Sequence, residues 1–345
     1  NRESMNRGSI PGGNKKTRSG WIYAKQFPKF SRPKIIGCIG LENLKYAKNV
    51  CNKKVKFNLN LLVEEAQKKP PDCDVKLNDL IKFVSNNEKR LTLGHSKKLD
   101  TSTIFCYRGL MTCVACTPYE NQESWKIVAI LFKGNIFLCA RDTEEKKLQK
   151  RFMTDKNKLC TSWGFKFEQF MLSGKPHLEP NPNVPVNEME EFSCVFSTNL
   201  NNHKIIYGAE MDGIRCDKEE LTEAPESVDE ALNYLQNKEF IELKTNRHIE
   251  SGRHETTFRR FKTKKWWCQS FLVGINTILC LSREIKRKYG DKALDNLQKV
   301  PLTSLLFQFD VNYSQVSVCA DYSHDDDPIL PDWFLSSFGK YNECT

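Results

Sequence analysis

Short apolar runs broken by polar turns predict a sheet-containing fold between residues 100 and 283. The runs at 126–132 and 135–139 flank Lys133-Gly134, and a glycine-containing break between two such runs predicts a β-hairpin. Residues 192–198 and 204–212 are also predicted to be strands. Several short strands close together along the chain predict a sheet formed largely by antiparallel neighbours.

One long segment with helical character follows the hairpin. Residues 143–173 are charged at first and then apolar, which predicts a helix. Cys160, Gly164 and Glu168 would share one face, because residues four apart are neighbours on a helix surface. A glycine one turn before a carboxylate would let other backbone approach, as a helix lining a metal pocket requires.

Two shorter helices are predicted further along. Ser227 and Glu230 fit a capping box in front of a helix at 228–237. The sequence KKWWCQSFLVG begins another helix, which presents Gln269. Its tryptophans are interpreted as core anchors in preference to platforms for stacking bases.

An extended segment is predicted from Ser102 to Ala115, around Arg108. The chain's lone CxxC motif, Cys113 to Cys116, overlaps its end. A structural zinc site takes four ligands, and the sequence offers neither a second CxxC nor an HxxxH partner. We therefore interpret these cysteines as buried strand positions, with zinc binding or redox use as the weaker alternatives.

Two pairs of charged residues on predicted strands carry the main chemical indication. Glu210 and Asp212 would point to one face, and so would Glu242 and Lys244, because side chains alternate along a strand. If the strands are neighbours, three carboxylates and one ammonium converge. Mg²⁺ or Mn²⁺ would relieve the repulsion between the carboxylates, which is the arrangement of a metal-dependent phosphodiesterase.

Spacing alone leaves an alternative for these residues. Acidic residues two apart are common on exposed strands, where they form salt bridges. The segments IYGAEMD and FIELK are strongly apolar around their charges, however, and a carboxylate at the edge of a core must be paired or metal-bound. The surroundings therefore favour the metal site.

Composition narrows the classes of partner. The 345 residues carry 53 Lys and Arg against 43 Asp and Glu, a net charge of +10, which favours nucleic acid over membrane. No apolar stretch reaches the roughly 18–20 residues that span a bilayer. The first 20 residues are basic and lack the apolar core of a signal peptide, so the 14 cysteines are expected to be reduced thiols.

The pattern as a whole predicts one domain. Residues 1–20 are polar and aperiodic, so they are expected to form a disordered tail, and residues 21–345 are expected to form a single domain. We predict a mixed α/β fold with a central, largely antiparallel sheet, a second sheet and flanking helices. The acidic segment 217–230 would repel a phosphate backbone, so we place it away from the substrate.

Six segments together resemble the DXO family of RNA 5′-end decapping exoribonucleases, whose core is related to the D-(D/E)xK nucleases. They occur in the family's order within residues 100–345: FCYRG at 105–109, TPYE at 117–120, WGFKFEQFM at 163–171, GAEMD at 208–212, IELKT at 241–245 and KWWCQSFLVG at 265–274. Several long motifs in sequence are more specific than any one of them.

The resemblance implies a metal site. It is expected to use four carboxylates and one backbone carbonyl, which belong to Glu168, Glu210, Asp212, Glu242 and Leu243. The cofactors implied are two divalent ions, Mg²⁺ or Mn²⁺. Every one of these acidic ligands is present in the sequence, which argues against a degenerate relative that only binds RNA.

The resemblance also implies residues for substrate and catalysis. Lys244 and Gln269 match residues that contact the scissile phosphate or orient water, and Arg108 matches an arginine that grips substrate phosphate. Glu210 and Asp212 are expected to be catalytic, and Glu168 to contact substrate as well as metal. Arg283 is in the position of another family arginine, but Leu281-Ser282 precede it where the family has Gly-Phe.

The function implied is hydrolysis of RNA 5′ ends. Triphosphate, incomplete-cap and NAD-cap ends would be removed by phosphodiester hydrolysis, with 5′→3′ exoribonuclease activity. In the cell we expect a monomer located in the nucleus, with the cytoplasm as a further location, and a 5′→3′ exoribonuclease as a partner. The alternative is a catalytically silent protein of the same fold that binds RNA 5′ ends or a partner nuclease.

Overall fold

The protein is built around two six-stranded sheets, and the chain passes between them several times. The computed structural model describes residues 28–48, 57–70, 76–91, 103–120, 124–216, 221–247, 249–283 and 296–301. The predicted tail at 1–20 lies outside these residues. The described strands are β1 (Lys34–Ile39), β2 (Tyr46–Ala47), β3 (Thr103–Tyr107), β4 (Lys126–Phe132), β5 (Asn135–Arg141), β6 (Leu172–Ser173), β7 (Ser193–Leu200), β8 (His203–Glu210), β9 (Gly213–Arg215), β10 (Phe240–Arg247), β11 (Thr277–Arg283) and β12 (Asn296–Pro301).

Both sheets are mixed. The first has the order β1-β7-β8-β3-β5-β4 and the second the order β12-β11-β10-β9-β2-β6. Antiparallel pairings outnumber parallel ones in each of them. The predicted mixed α/β class, with two sheets and flanking helices, is confirmed.

The helices cover the sheets and connect them. Their bounds are α1 (Asn78–Asn86), α2 (Glu88–Leu91), α3 (Arg108–Cys116), α4 (Glu144–Arg151), α5 (Asp155–Met171), α6 (Val228–Gln236), α7 (Gly252–Thr257) and α8 (Thr263–Phe271). A π-helical turn, Phe258–Lys262, joins α7 to α8. None of the helices within the described ranges is long and apolar enough to cross a membrane.

The predicted hairpin is formed by β4 and β5. Phe132 pairs with Asn135 across the turn, and Lys133 and Gly134 both have positive φ, at 48° and 75°. Two consecutive positive φ values match the twist of the flanking strands. The glycine therefore makes this turn possible, and the hairpin is confirmed.

The segment around Arg108 is helical where an extended chain was predicted. The strand ends at Tyr107, and α3 runs from Arg108 to Cys116. Leu110 and Thr112 are buried along it, whereas Gly109, Val114 and Ala115 are exposed. The prediction was wrong because a short apolar run does not distinguish a strand from a buried helix, and the CxxC cysteines consequently lie on a helix.

The predicted helix at 143–173 is two helices, because Thr154 starts a new one. Its side chain accepts a hydrogen bond from the Asn157 backbone N–H at 3.3 Å, which is an N-cap. Two further details differ from expectation. Ser227 precedes α6 but makes no side-chain cap bond, and nothing lies within 4 Å of a Cβ placed on Gly164, so no backbone approaches there.

The chain passes from the first sheet to the second between β8 and β9. The strand predicted at 204–212 ends at Glu210, and the next strand begins at Gly213. A Cβ at Gly213 would lie 2.8 Å from Leu172 Cδ2 and 3.1 Å from the Lys45 carbonyl oxygen. Any side chain at this position would press on the Leu172 side chain and on the Lys45 carbonyl, so glycine favours this close entry into the second sheet.

Gly40 and Gly164 make a matched test of the packing. Gly40 has φ of 70°, and a Cβ there would collide with the Glu191 carbonyl oxygen. Gly40→Ala is expected to lower the free energy of unfolding by about 2–4 kcal/mol. Gly164→Ala should raise it by roughly 0.5–1 kcal/mol, because the helix gains alanine without a clash. Urea unfolding measures both; equal effects of one sign would contradict this packing.

Candidate metal and phosphate site

The two charged pairs meet where the sheets join. Glu210 is the last residue of β8, and Asp212 lies in the link before β9. Antiparallel pairing of β9 with β10 ends at Gly213 and Ile241. The next residues on each side are Asp212 and Glu242, so the pairs converge as predicted, although Asp212 is in the link and not in a strand.

Alternation along β10 separates an apolar face from a polar one. Ile241 and Leu243 are buried in the cluster that contains Phe167 and Met171 of α5. Side chains at the intervening positions point the other way, and these positions hold Glu242 and Lys244. The packing of α5 against β10 thus fixes which face carries the charges.

Asp212 is tied directly to β10. The Leu243 backbone N–H donates a hydrogen bond to Asp212 Oδ2 at 2.5 Å. This bond holds the carboxylate beside the strand that carries Glu242 and Lys244. Leu243 therefore positions the site through its N–H group, while the ligand role predicted for its carbonyl stays a prediction.

Glu242 is the most buried of the four carboxylates and has a cation on each oxygen. Its exposed fraction is 0%. Arg108 Nη1 lies 3.1 Å from Oε2, and Lys244 Nζ donates to Oε1. Although burial opposes ionisation, these two cations hold the pKa of Glu242 below its usual value. A buried charge that is paired on both oxygens is satisfied.

The other three carboxylates are short of positive charge. Burial, together with Asp212 and Glu210, raises the pKa of Glu168 well above its usual value. Burial and then Glu242 raise the pKa of Asp212 to about 7. Glu210 reaches solvent, yet surrounding protein and Glu191 still raise its pKa. The site therefore holds more negative charge than its own cations offset.

Lys244 is a charged ammonium in this setting. Burial opposes its charge, but Asp212 and Glu242 outweigh burial and raise the pKa of the amine. Its side chain is 24% exposed. It is therefore a partly buried cation that lies next to the carboxylates of the site.

Gln269 lies on α8, which packs against α3, the helix that begins at Arg108. Gln269 is half-buried. Within the described residues no hydrogen bond joins it to the acidic group.

Arg283 is the last residue of β11. This strand pairs in parallel with β10, and the pairing sets Arg283 opposite Arg247. Arg247 lies beyond Lys244 along β10.

Two lysines that the sequence analysis missed lie around the acidic group. Lys45 lowers the pKa of Glu168, and Lys69 lowers that of Glu210 while it pairs with Glu191 at 2.7 Å. Both are more than 90 residues from their acidic neighbours in the sequence. Only the pairing of β2 with β9 brings Lys45 near, so no local pattern could have identified it.

The donor set fits a hard divalent ion. All four side chains offer carboxylate oxygens, the ligands that Mg²⁺ and Mn²⁺ prefer, and three of them have raised pKa values that a cation would reverse. In the described part of the chain, no three acidic, histidine or cysteine side chains are grouped closely enough to hold an ion as they stand. Glu242 faces Arg108 and Lys244, so ion binding would require some side chains to turn.

The raised pKa of Asp212 predicts a pH-dependent stability without metal. Between about pH 4 and 7 the folded protein holds a proton that the unfolded chain has lost, so stability falls as pH rises through this window. In EDTA, Asp212→Asn should therefore melt at a higher temperature than the parent at pH 8, by about 2–4 °C for each kcal/mol relieved. The difference should shrink towards pH 4.

The control for that experiment is Glu226→Gln, because Glu226 is exposed. It should leave the melting temperature unchanged across the same pH range. A parent protein that is more stable than Asp212→Asn at pH 8 in EDTA would contradict the electrostatic picture.

Known proteins with the same sequence features share this fold. The family model described as RAI1 like PD-(D/E)XK nuclease matches residues 38–288. The chain is 32% identical over 295 residues to the decapping and exoribonuclease protein Rai1 of Drosophila melanogaster, which covers 81% of this chain and 76% of that one. It is 33% identical over 188 residues to the decapping and exoribonuclease protein of Xenopus laevis, of which it spans 43%.

Solved structures agree on the architecture. Candida albicans Rai1, in complex with pU5 and Mn²⁺, superposes with a TM-score of 0.62 at 21% identity, covering 80% of this chain and 73% of that one. Scheffersomyces stipitis Rai1, in complex with (3′-NADP)⁺ and a calcium ion, gives 0.58 at 22% identity, with 74% and 71% covered. With the family model matching most of its length, this chain belongs to the RAI1-like PD-(D/E)XK nuclease family.

Proposed function

We propose that the protein is a divalent-metal-dependent hydrolase of RNA 5′ ends. The observation that carries the proposal is the convergence of Glu210, Asp212 and Glu242 with Arg108 and Lys244 at the junction of the two sheets. Members of its family named for their activity are decapping and exoribonuclease proteins. Carboxylates that can hold metal ions, next to fixed cations that can hold a phosphate, suit the cleavage of a phosphodiester.

The ligand set is the one that the family resemblance implies, and the raised pKa values of Glu168, Glu210 and Asp212 support it. Glu168, Glu210, Asp212, Glu242 and the Leu243 carbonyl would hold two ions, Mg²⁺ or Mn²⁺. When bound, such ions stabilise charge on a phosphoryl group and lower the pKa of an attacking water. Because the carboxylates outnumber the neighbouring cations, the site can accept the positive charge of such ions.

The chain's own residues then orient the phosphate. Lys244 stays protonated because of its acidic neighbours, so it can donate to a phosphate oxygen. Arg108 has a planar fork suited to two such oxygens, and its side chain is 12% exposed. Gln269, on the adjacent α8, would complete the set that orients water or phosphate. These fixed donors supply the electrostatic contribution that usually dominates catalysis.

The proposed substrate class is RNA that carries an aberrant or non-canonical 5′ end. The ends proposed are triphosphate, incomplete cap and NAD cap, released by phosphodiester hydrolysis, and 5′→3′ degradation follows if cleavage repeats. Related Rai1 proteins have been solved in complex with pU5 and Mn²⁺, with (3′-NADP)⁺ and with 3′-FADP. A nuclear monomer with a 5′→3′ exoribonuclease as a partner is part of the same proposal.

One observation favours a second candidate, a catalytically silent protein that binds RNA 5′ ends. Both oxygens of Glu242 are paired, one with Arg108 and the other with Lys244. If that arrangement persists, the site would bind phosphate but not turn it over. Turnover distinguishes the two candidates.

Removal of one acidic ligand should abolish turnover and spare the fold. Glu210→Ala and Asp212→Ala are each expected to lower kcat by a factor of about 100 or more, because each change removes transition-state stabilisation of several kcal/mol. Release of product from 5′-labelled RNA measures this. Glu226→Ala, at an exposed carboxylate, is the control and should keep full activity.

An end-group assay tests the reaction itself. Identical RNAs with monophosphate, triphosphate, unmethylated cap, methylated cap, NAD or hydroxyl 5′ ends are incubated with Mn²⁺, with Mg²⁺ or with EDTA. Metal-dependent release of a 5′ group is expected, and the product names the preferred end. Binding of these RNAs without release in either metal would replace the hydrolase by the binding protein, and activity that survives EDTA would exclude the metal mechanism.

A further inference from the structure

The face of β10 that carries Glu242 and Lys244 continues one step further along the strand. Pairing of β10 with β11 is unbroken from Glu242 to Arg247, so side chains alternate regularly there and Asn246 points the same way as the two charged residues. Asn246 is 9% exposed. It follows Lys244 by two residues, which is about 6–7 Å along a parallel strand. The polar face of the site therefore extends past Lys244, away from Glu242.

Lys262, the last residue of the π-helical turn, contacts this end of the face. Its ammonium donates to Asn246 Oδ1 at 2.8 Å, and the residue as a whole is exposed. Cys280 pairs with Lys244 in the register of the two strands. Burial raises the pKa of the Cys280 thiol to about 12, and Lys262 and Lys244 both oppose this rise. The two ammonium groups thus lie near the same thiol, on the same side of the sheet.

The charge of Lys262 is not neutralised by a carboxylate. In the described part of the chain it makes no ion pair, because the group that accepts its hydrogen bond is a neutral amide. Two other cations of the same segment have different partners: Arg259 pairs with Glu255 at 2.8 Å, and Lys264 lies 3.2 Å from the centre of the Tyr119 ring. The hydrogen bond to Asn246 therefore holds the Lys262 ammonium in place and leaves its charge for an anion.

We propose that Lys262 binds the RNA phosphate that follows the scissile phosphate on its 3′ side, a role that rests on the proposed function. Lys244 is proposed to contact the scissile phosphate, and Asn246 holds the second ammonium one two-residue step further along β10. That step is similar to the separation of neighbouring phosphates in an extended RNA strand. A lysine ammonium has three donors, so two remain for phosphate oxygens while one is bound to Asn246.

Exposure indicates the direction of the strand. A substrate that is cut near its 5′ end continues into solvent only in the 3′ direction. Lys262 is exposed, whereas the Lys244 side chain is 24% exposed. The outer cation therefore serves the part of the RNA that leaves the site.

Such a contact recognises backbone charge and carries no information about the base. It is expected to add affinity for every RNA sequence alike. It also makes the second internucleotide linkage part of the recognised substrate. A trinucleotide is therefore expected to be a better substrate than a dinucleotide, which has no phosphate for Lys262.

A double-mutant cycle between Lys262 and that phosphate tests the contact. The substrates are pUpUpU and the same trinucleotide with an uncharged methylphosphonate at the second linkage, both with Mn²⁺. For the parent protein the neutral linkage should lower kcat/KM at least about fivefold, as the loss of a charged hydrogen bond implies. Lys262→Gln should show a similar loss on pUpUpU and no further loss with the neutral linkage. Losses that multiply when both changes are combined would overturn the proposal.

Substrate length separates a phosphate contact from a purely structural role. The advantage of pUpUpU over pUpU in kcat/KM should shrink at least about fivefold in Lys262→Gln, because one charged contact is lost. A loss that is equal for both lengths would mean that the variant displaces β10, and it would overturn the proposal.

Two variants serve as controls. Lys262→Arg keeps the positive charge and should retain most of the response to the neutral linkage. Lys156→Gln removes an exposed lysine at the start of α5, twelve residues before Glu168. It should leave the length dependence as in the parent. The same loss in Lys156→Gln as in Lys262→Gln would show an effect of net charge alone and would overturn the proposal.

The salt dependence of binding gives a readout that needs no turnover. Affinity for a ten-nucleotide, 5′-phosphorylated oligouridylate is measured at several KCl concentrations. The slope of log Kd against log salt should be smaller by about 0.7 in Lys262→Gln, the value for one phosphate contact on a single strand, and unchanged in Lys156→Gln. An unchanged slope in Lys262→Gln would overturn the proposal.

Failure of the contact and failure of the proposed function are distinguishable. A parent protein that releases no 5′ group in the end-group assay would count against the proposed function. The salt dependence, and the same cycle measured as Kd, would still decide whether Lys262 binds this phosphate.

Discussion

The site depends on an imbalance of charge at one corner of the fold. Four carboxylates gather where the two sheets meet, and only Glu242 has a cation on each of its oxygens. Burial and then neighbouring carboxylates raise the pKa values of Glu168 and Asp212. Such crowding costs stability, and a protein keeps it when the charge has another use. In the proposed function, that use is to attract a hard cation beside Lys244 and Arg108.

The imbalance is maintained by the route of the chain. Gly213 lets the chain enter the second sheet three residues after β8 ends, so Glu210 belongs to the first sheet while Asp212, in the link, is hydrogen-bonded to β10 of the second. Packing of α5 against the apolar face of β10 leaves the opposite face for Glu242 and Lys244. The backbone positions of the carboxylates are fixed, because Glu168, Glu210 and Glu242 lie on packed elements and Asp212 is hydrogen-bonded to β10.

Sequence reasoning succeeded where a local pattern carries the information. Alternation placed Glu242 and Lys244 on one face, and Lys133-Gly134 predicted the hairpin. It failed where packing decides. The segment after Tyr107 is a helix although its apolar residues fit a strand equally well, and Lys45 reaches the site through a strand pairing that no local pattern encodes.

The π-helical turn at Phe258–Lys262 allows the two ends of one long helix to differ in which side faces outward. Such a turn behaves like one residue inserted into an α-helix, and one residue rotates everything beyond it by about 100°. The direction in which the basic residues before the turn face is therefore not fixed by the direction in which Gln269 faces after it. Insertions and deletions in this turn can re-aim the upstream face while α8 keeps its packing, which gives evolution a place to change the outer surface of the protein at little cost to its centre.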